Sequence, residues 1–464
     1  MLTGRKCMRE CLQTYINSVA KTKIGFLFFI FFVGVISCTS RTTNTLPNEV
    51  ALNNYKNRTF FGIVDSSYTV SYPFIHFEKN HYQFFNKRSP NFEKLYFDIK
   101  QMVINKDRKL NFYHIGGSHL QADVYTHEMR TDLQTNWKGL QGERGWIFPF
   151  DLANTNNPMN YVFKSPNKWK IYKSTLDRPD SLEYGLLGMV IESPDSLINI
   201  EFKYKRTKVK PHFDRIRIYH NKGFIPYKFD FNSKDTFVIR KQTNMAIGYT
   251  DVHFNKNLTD FHLTLSKTTS DTFKFKLLGF QLSNNLPGIS YNTIGVNGAS
   301  LPTHLANKFF REQLNELPPD FFAFSVGTND ANMPYNLFKP EVFKANLDSL
   351  IRRVLSVNPN CAILLTIPND ALFQKKYLNK NVARERAMVL ELAKKYHAAV
   401  WDMYGIMGEL GSCKSWKKAR LMRHDYVHFT ASGYRLKGEM FFESFVKWLE
   451  QMDIRDRKLF QYNQ

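Results

Sequence analysis

Four segments far apart in the chain carry groups suited to acyl transfer. Gly116-Gly117-Ser118-His119 follows the apolar run Leu110 to Ile115 and leads into a helical pattern beginning near Leu120. A serine placed where a strand turns into a helix is sterically exposed, with its hydroxyl and backbone NH facing one point. The same placement also suits a helix N-cap, with Gln121 completing a capping box three residues on. Asp425-Tyr426-Val427-His428 sets a carboxylate three residues before an imidazole. In a turn, that spacing lets Asp425 reach Nδ1 of His428 and leaves Nε2 free to take a serine proton. Alone, the pair equally fits a helix-start ion pair or half a metal site. No Cys-x-x-Cys or His-Glu-x-x-His accompanies it, so neither a metal nor a cofactor is expected. Gly295-Val296-Asn297-Gly298-Ala299 and Gly327-Thr328-Asn329-Asp330 follow two further apolar runs. Their glycines allow close backbone approach, and Asn329 adds an amide donor. The NH groups of Ser118 and Gly298 with the Asn329 amide would suffice to hold an oxyanion, although each motif alone is an ordinary turn.

Such groups need a scaffold that brings distant loops to one edge. The apolar runs Leu110 to Ile115, Ile289 to Ile294, Phe321 to Val326, Cys361 to Ile367 and Ala398 to Trp401 alternate with amphipathic patterns. Phe343, Leu347, Leu350, Ile351, Val354 and Leu355 recur at helical spacing, and Phe441 to Leu449 does so near the end. Strands alternating with helices imply crossover units, hence a three-layer α/β/α fold with a five-stranded parallel, flavodoxin-like sheet. Between about Phe150 and Asn285 the period changes to two. Ile198, Ile200, Phe202 and Tyr204 alternate with polar residues, as do Ile216-Arg217-Ile218, Phe261 to Leu265 and Phe273-Lys274-Phe275. With turn residues such as Asn232-Ser233-Lys234-Asp235, this predicts half-buried antiparallel strands forming an inserted all-β sandwich. The sandwich could bind glycan through surface aromatics or wall one side of the site.

Composition narrows the setting. Hydrophobic residues make up 43% and charged residues 23% of the 464 residues, enough for packed cores. Lys and Arg exceed Asp and Glu by 64 to 41, a net charge of +23. A field of that sign concentrates anionic partners. The basic residues are spread along the chain, without zinc-finger spacing, basic heptads or a phosphate loop, so no nucleic-acid partner is expected and an anionic envelope surface or polysaccharide is favoured. Lys21 and Lys23 precede the apolar run Ile24 to Ser37, which is shorter than the ~20 residues of a membrane-spanning helix and suits an export signal. Val35-Ile36-Ser37-Cys38 resembles the processing box of bacterial lipoproteins, implying a lipid on Cys38 and membrane attachment. The alternative is a short membrane anchor. Cys7 and Cys11 would leave with the signal, and no disulfide is expected between Cys361 and Cys413.

Taken in order along one α/β core, the Ser, Gly, Asn and His segments resemble the SGNH (GDSL-type) hydrolase superfamily. The matching stretches run from His114 to Asp123, Gly295 to Ala299, Val326 to Asp330 and Asp425 to Tyr434. Glu143 to Pro149 and Val400 to Gly408 extend the similarity to the envelope-associated branch of Bacteroidetes-type lipoproteins and peptidoglycan O-acetylesterases, which carry a β module within the hydrolase domain. The resemblance implies Ser118 as nucleophile, His428 as base, Asp425 as its orienter, and Ser118, Gly298 and Asn329 as oxyanion donors. Gly117 stands where the family usually has Asp. The implied organisation is an export signal over 1–38, a tether over 39–71, hydrolase parts over 72–150 and 286–464, and the sandwich over 151–285. The implied activity is removal of O-acetyl groups from a cell-wall or other extracellular glycan through an acyl-enzyme. A glycan-binding lipoprotein with impaired catalysis, or an O-acyltransferase using the same triad, would carry the same residues.

Overall fold

Alternation along β1 (Lys109–Gly116) divides its side chains between two cores: Phe112 enters one apolar cluster, while Tyr113 and Ile115 enter another. The same division recurs in β3 (Phe321–Ser325), where Phe321 and Ala323 oppose Phe322 and Phe324. In β4 (Ala362–Ile367), Ala362 and Leu364 oppose Ile363 and Leu365. A strand buried on both faces reads as a continuous apolar run because its successive residues point to opposite layers. The computed structural model describes residues 56–65, 68–176, 182–207, 209–231 and 238–462. The expected export signal over 1–38, Cys38, the tether up to residue 55 and the 232–235 turn lie outside the described residues.

With β2 (Gly288–Gly295) and β5 (Ala399–Asp402), the parallel sheet has the order β2-β1-β3-β4-β5. All four pairings are parallel, and Gly295 and Ser325 both pair with Gly116, so the three strands carrying the site loops end level. This is the flavodoxin-like order, whose ligand crevice lies at the carboxyl edge beside the β1/β3 switch point.

Helices cover both faces. On one side lie α1 (Pro90–Asn105), α2 (Tyr125–Thr135) and α5 (Ala431–Tyr462). α1 starts with Pro at its first position, where a missing NH costs nothing, and ends at Lys106 in the left-handed region. Its Phe92, Leu95, Tyr96, Ile99 and Met102 recur every three or four residues and are buried, each contributing about 1.5–3 kcal/mol. α3 (Pro340–Leu355) and α4 (Asn381–Tyr396) cover the other face, with Phe343, Leu347, Leu350, Ile351 and Val354 inward.

The period-two stretch folds as two antiparallel sheets. One has the order Tyr227–Phe231, Asp260–Lys267, Leu197–Tyr204, Tyr161–Lys164. The other is seven-stranded, with Phe213–His220 and Phe275–Ser283 at its centre and the short strand Gly145–Ile147 paired to the latter. Ile198, Ile200 and Phe202 are buried while Lys203 is exposed. Aromatic rings join the sheets face to face, with Phe163 on Phe280 at 5.3 Å and Phe261 on Phe280 at 5.5 Å. The expected strand at Phe273-Lys274-Phe275 begins only at Phe275, because the Asp271 carboxylate takes the Phe273 NH (3.0 Å) and makes a turn there. The sandwich interior and the α3–α4 side of the parallel sheet form one apolar cluster. Among the described residues, no helix is long and apolar enough to cross a membrane.

Candidate active site

At the end of β1 the backbone runs so close to β3 that a Cβ on Gly116 would collide with the Ser325 carbonyl oxygen. Two residues later Ser118 opens a single helical turn, Ser118–Gln121, whose cap residue is Gly117. The capping-box alternative for Ser118 is thereby overturned. Gln121 turns elsewhere: its Oε1 accepts the Asn297 NH at 2.7 Å and its Nε2 donates to the Asn156 carbonyl at 2.9 Å. The Ser118 hydroxyl instead lies 2.7 Å from His428 Nε2. On the far side of the ring, His428 Nδ1 is 3.0 Å from Asp425 Oδ2. The other carboxylate oxygen accepts the NH groups of Val427 and His428, both at 2.9 Å, which locks the turn between the two residues. Burial pushes the Asp425 carboxyl up, but the NH groups of His428 and Val427 and the imidazole outweigh it, leaving the group below its usual range and ionised at neutral pH.

The two loops expected to supply oxyanion donors meet the Gly117-Ser118 turn. Gly298 is exposed in the left-handed region (φ +81), with open space where a Cβ would stand. Asn329 donates one amide hydrogen to the Ala299 carbonyl at 2.8 Å, leaving its second hydrogen for another acceptor. Gly117 gains a physical reason here, since a Cβ on it would lie 2.9 Å from Asn329 Nδ2 and 3.5 Å from the Ala299 oxygen. Where the family's Asp would brace the loop, the missing side chain makes room for the amide. The NH groups of Ser118 and Gly298 meet no acceptor among the described residues. A hydroxyl, an imidazole and three uncommitted N–H bonds therefore lie near the carboxyl edge of β1, β2 and β3, groups of the kind that can attack and polarise a carbonyl.

Residues 268–436 match the GDSL-like Lipase/Acylhydrolase family. Over that segment the chain is similar to SGNH (GDSL-type) hydrolases. The matched span begins beyond Ser118, so the first segment rests on its own geometry. A peptidoglycan O-acetylesterase structure, 19% identical, superposes with a TM-score of 0.65 over 80% of this chain and 99% of its own. A lipase/acylhydrolase from Enterococcus faecalis is 19% identical over 33% of this chain and 74% of its own, at a TM-score of 0.27. An acetyl xylan esterase, 14% identical, covers 34% of this chain and 81% of its own at 0.28. Among curated proteins no sequence match was found. The likeness at 0.65 is one of fold, and it extends well beyond the α/β core. The matched segment supports a carboxylic ester hydrolase activity.

Beneath the hydrolase site lie polar groups whose function reading the sequence alone did not reveal. His114 on β1 is fully buried, with Nδ1 2.7 Å from the Tyr291 hydroxyl and Nε2 2.6 Å from Ser325 Oγ, which in turn meets Thr366 Oγ1 at 2.9 Å. This chain of bonds crosses all the strands from β2 to β4. Burial pushes His114 down to about 3, so it stays neutral and structural. Asp123, also buried, accepts from Arg130 (3.0 Å), Arg144 (3.0 Å), Asn160 (2.8 Å) and Thr126 (2.6 Å), joining α2 to the start of the sandwich. Asp123 and Arg144 lie inside stretches that resemble the family, but nothing in their spacing announced a shared ion cluster. Asp123→Ala would strand two guanidinium groups that are 3% and 5% exposed. Breaking a buried pair costs about 3–5 kcal/mol, so the urea midpoint is expected to fall accordingly, and a loss below about 1 kcal/mol would show the cluster is not structural.

Asp330 ties the two donor loops together, accepting the Leu301 NH at 3.1 Å. Burial pushes its carboxyl up to about 7 despite that bond. The folded value lies above the unfolded one of about 3.9, so the folded state holds its proton more tightly. Its contribution to stability is present below about pH 4 and is lost as pH rises to about 7. Asp330→Asn keeps an acceptor for Leu301 without ionising. The thermal midpoint of this variant is expected to fall less between pH 5 and pH 8 than that of the wild type; equal slopes would contradict the assignment.

Proposed function

We propose that the protein is an exported, membrane-anchored serine esterase that removes O-acetyl groups from a cell-wall or other extracellular glycan. His428 accepts the Ser118 proton as the hydroxyl oxygen attacks the ester carbonyl. The NH groups of Ser118 and Gly298 and the Asn329 amide stabilise the resulting oxyanion; its collapse breaks the bond to the sugar oxygen, which takes the proton from His428 and leaves as a hydroxyl, so that an acetyl-enzyme and a neutral imidazole remain. Water then enters by the same proton path: His428 takes its proton, the carbonyl is attacked again, and acetate leaves as Ser118 regains its hydrogen. The observation that carries this reading is the unbroken line from Asp425 through His428 to Ser118, at 3.0 and 2.7 Å.

The substrate class draws on different support. A fold shared over 99% of a peptidoglycan O-acetylesterase chain, and the net charge of +23, both favour a large anionic glycan. The lipid on Cys38 would hold the enzyme at the envelope; mass spectrometry of the mature N-terminal peptide tests it. The activity is tested with protein lacking residues 1 to 38 on O-acetylated peptidoglycan, measuring acetate. Wild type should release acetate and Ser118→Ala should not. Equal release by both would end the enzymatic reading, and acetyl groups appearing on a sugar acceptor would replace hydrolysis with transfer.

A further inference from the structure

The residue after the nucleophile has no part in the proton path, yet it is buried against the base. The rings of His119 and His428 lie with centroids 5.1 Å apart and planes at 34°. His119 Nδ1 is 2.9 Å from the Tyr434 hydroxyl, and the rings of Phe429 and Tyr434 stand edge-on to it at 6.0 and 5.7 Å. Its Nε2 is buried without a protein partner among the described residues. A buried imidazole nitrogen left unpaired is costly, so its retention asks for a reason.

His428 itself is 31% exposed on its side chain and is tethered to Asp425 through one ring atom. Bonds at Nδ1 and Nε2 fix the ring along the line between them better than its tilt about that line. A flat group packed beside the imidazole limits that tilt, and Tyr434, in the first turn of α5, fixes the flat group in turn. We infer that His119 is a positioning residue, whose neutral ring, held by the Tyr434 hydroxyl, backs His428 so that Nε2 stays aimed at the Ser118 oxygen. This rests on the triad reading above.

The electrostatics agree with that role. The buried Lys437, one turn further along α5, places its ammonium 4.6 Å from the Tyr125 ring centre and 5.4 Å from that of Phe429. Burial, then the charges of Lys437 and His428, keep His119 well below the usual histidine range. When His428 takes up the serine proton, the ring beside it therefore carries no like charge. Asp425 remains the anion facing the new imidazolium.

Steady-state kinetics on a small acetyl ester test the inference, using wild type, His119→Ala, His119→Phe and Tyr434→Phe. Misplacing a reacting group by about 1 Å can cost about 10²-fold, so His119→Ala is expected to lower kcat by about that factor with KM nearly unchanged. His119→Phe, which restores a flat ring, should recover about tenfold of the loss. Tyr434→Phe removes one oxygen and should lower kcat by about threefold to tenfold, with labelling of Ser118 by a fluorophosphonate slowed in proportion. If His119→Ala does not fold, Tyr434→Phe decides alone. Wild-type kcat in the folded variants, or a loss confined to KM, overturns the positioning role while leaving the triad intact. A wild type no faster than Ser118→Ala would remove the triad reading and this one with it.

Discussion

Ser118→Ala is expected to lower kcat for ester hydrolysis by about 10⁴-fold or more, with His428→Ala doing nearly the same. The double variant should be no worse than either. In the proposed mechanism nucleophile and base act in one event: the hydroxyl 2.7 Å from Nε2 is reactive only as its proton leaves, so removing either partner removes the event. What survives comes from the oxyanion donors and from binding, which neither substitution touches, since the Ser118 NH, Gly298 NH and Asn329 amide all remain. KM should change little because the lost interaction forms only in the transition state. If the two losses multiplied in the double variant, the residues would be acting independently and the proposed proton transfer would be wrong. Both single substitutions are small and sit at the edge of the sheet, so circular dichroism and the thermal midpoint should match the wild type.

Asp425→Asn should cost nearly as much through a subtler route. The side-chain oxygen of Asn can still accept the NH groups of Val427 and His428, now bonded at 2.9 Å, so the turn persists. Its amide, however, would present hydrogens to His428 Nδ1 where the carboxylate presents a lone pair at 3.0 Å. The imidazole then prefers the tautomer with its proton on Nε2, facing Ser118, and it can no longer accept the hydroxyl proton. A comparable change in a serine protease triad costs about 10⁴-fold in kcat, and a similar fall is expected here at neutral pH, with KM and stability held. A decrease of less than about tenfold would mean that another group orients the ring.

Much of the scaffold could be read along the chain because its signals are local. The five apolar runs became the five parallel strands, with shifts of a residue or two at their ends, such as Cys361 lying just outside β4; in the sandwich, Phe273-Lys274 stays in a turn held by Asp271. Alternation at Ile198, Ile200 and Phe202 foretold a half-buried face, since a side-chain period of two needs no knowledge of the partner strand. The Asp425–His428 contact was legible for the same reason, being closed within three residues by backbone NH groups.

Other features depend on which segments the fold brings side by side. Whether Ser118 capped its own helix or faced a base was undecidable locally; the outcome turns on a residue 310 positions away, delivered by the loop that leads into α5. The use of Gly117 became clear only with the Asn329 amide lying over it. The Asp123 cluster and the His119–Tyr434 bond likewise join segments with no shared periodicity. Residue type and spacing determine which groups exist and which short-range bonds they can close. Their distances across the sheet are fixed by packing, because a polar contact between remote segments leaves no pattern along the chain until burial has chosen its neighbours.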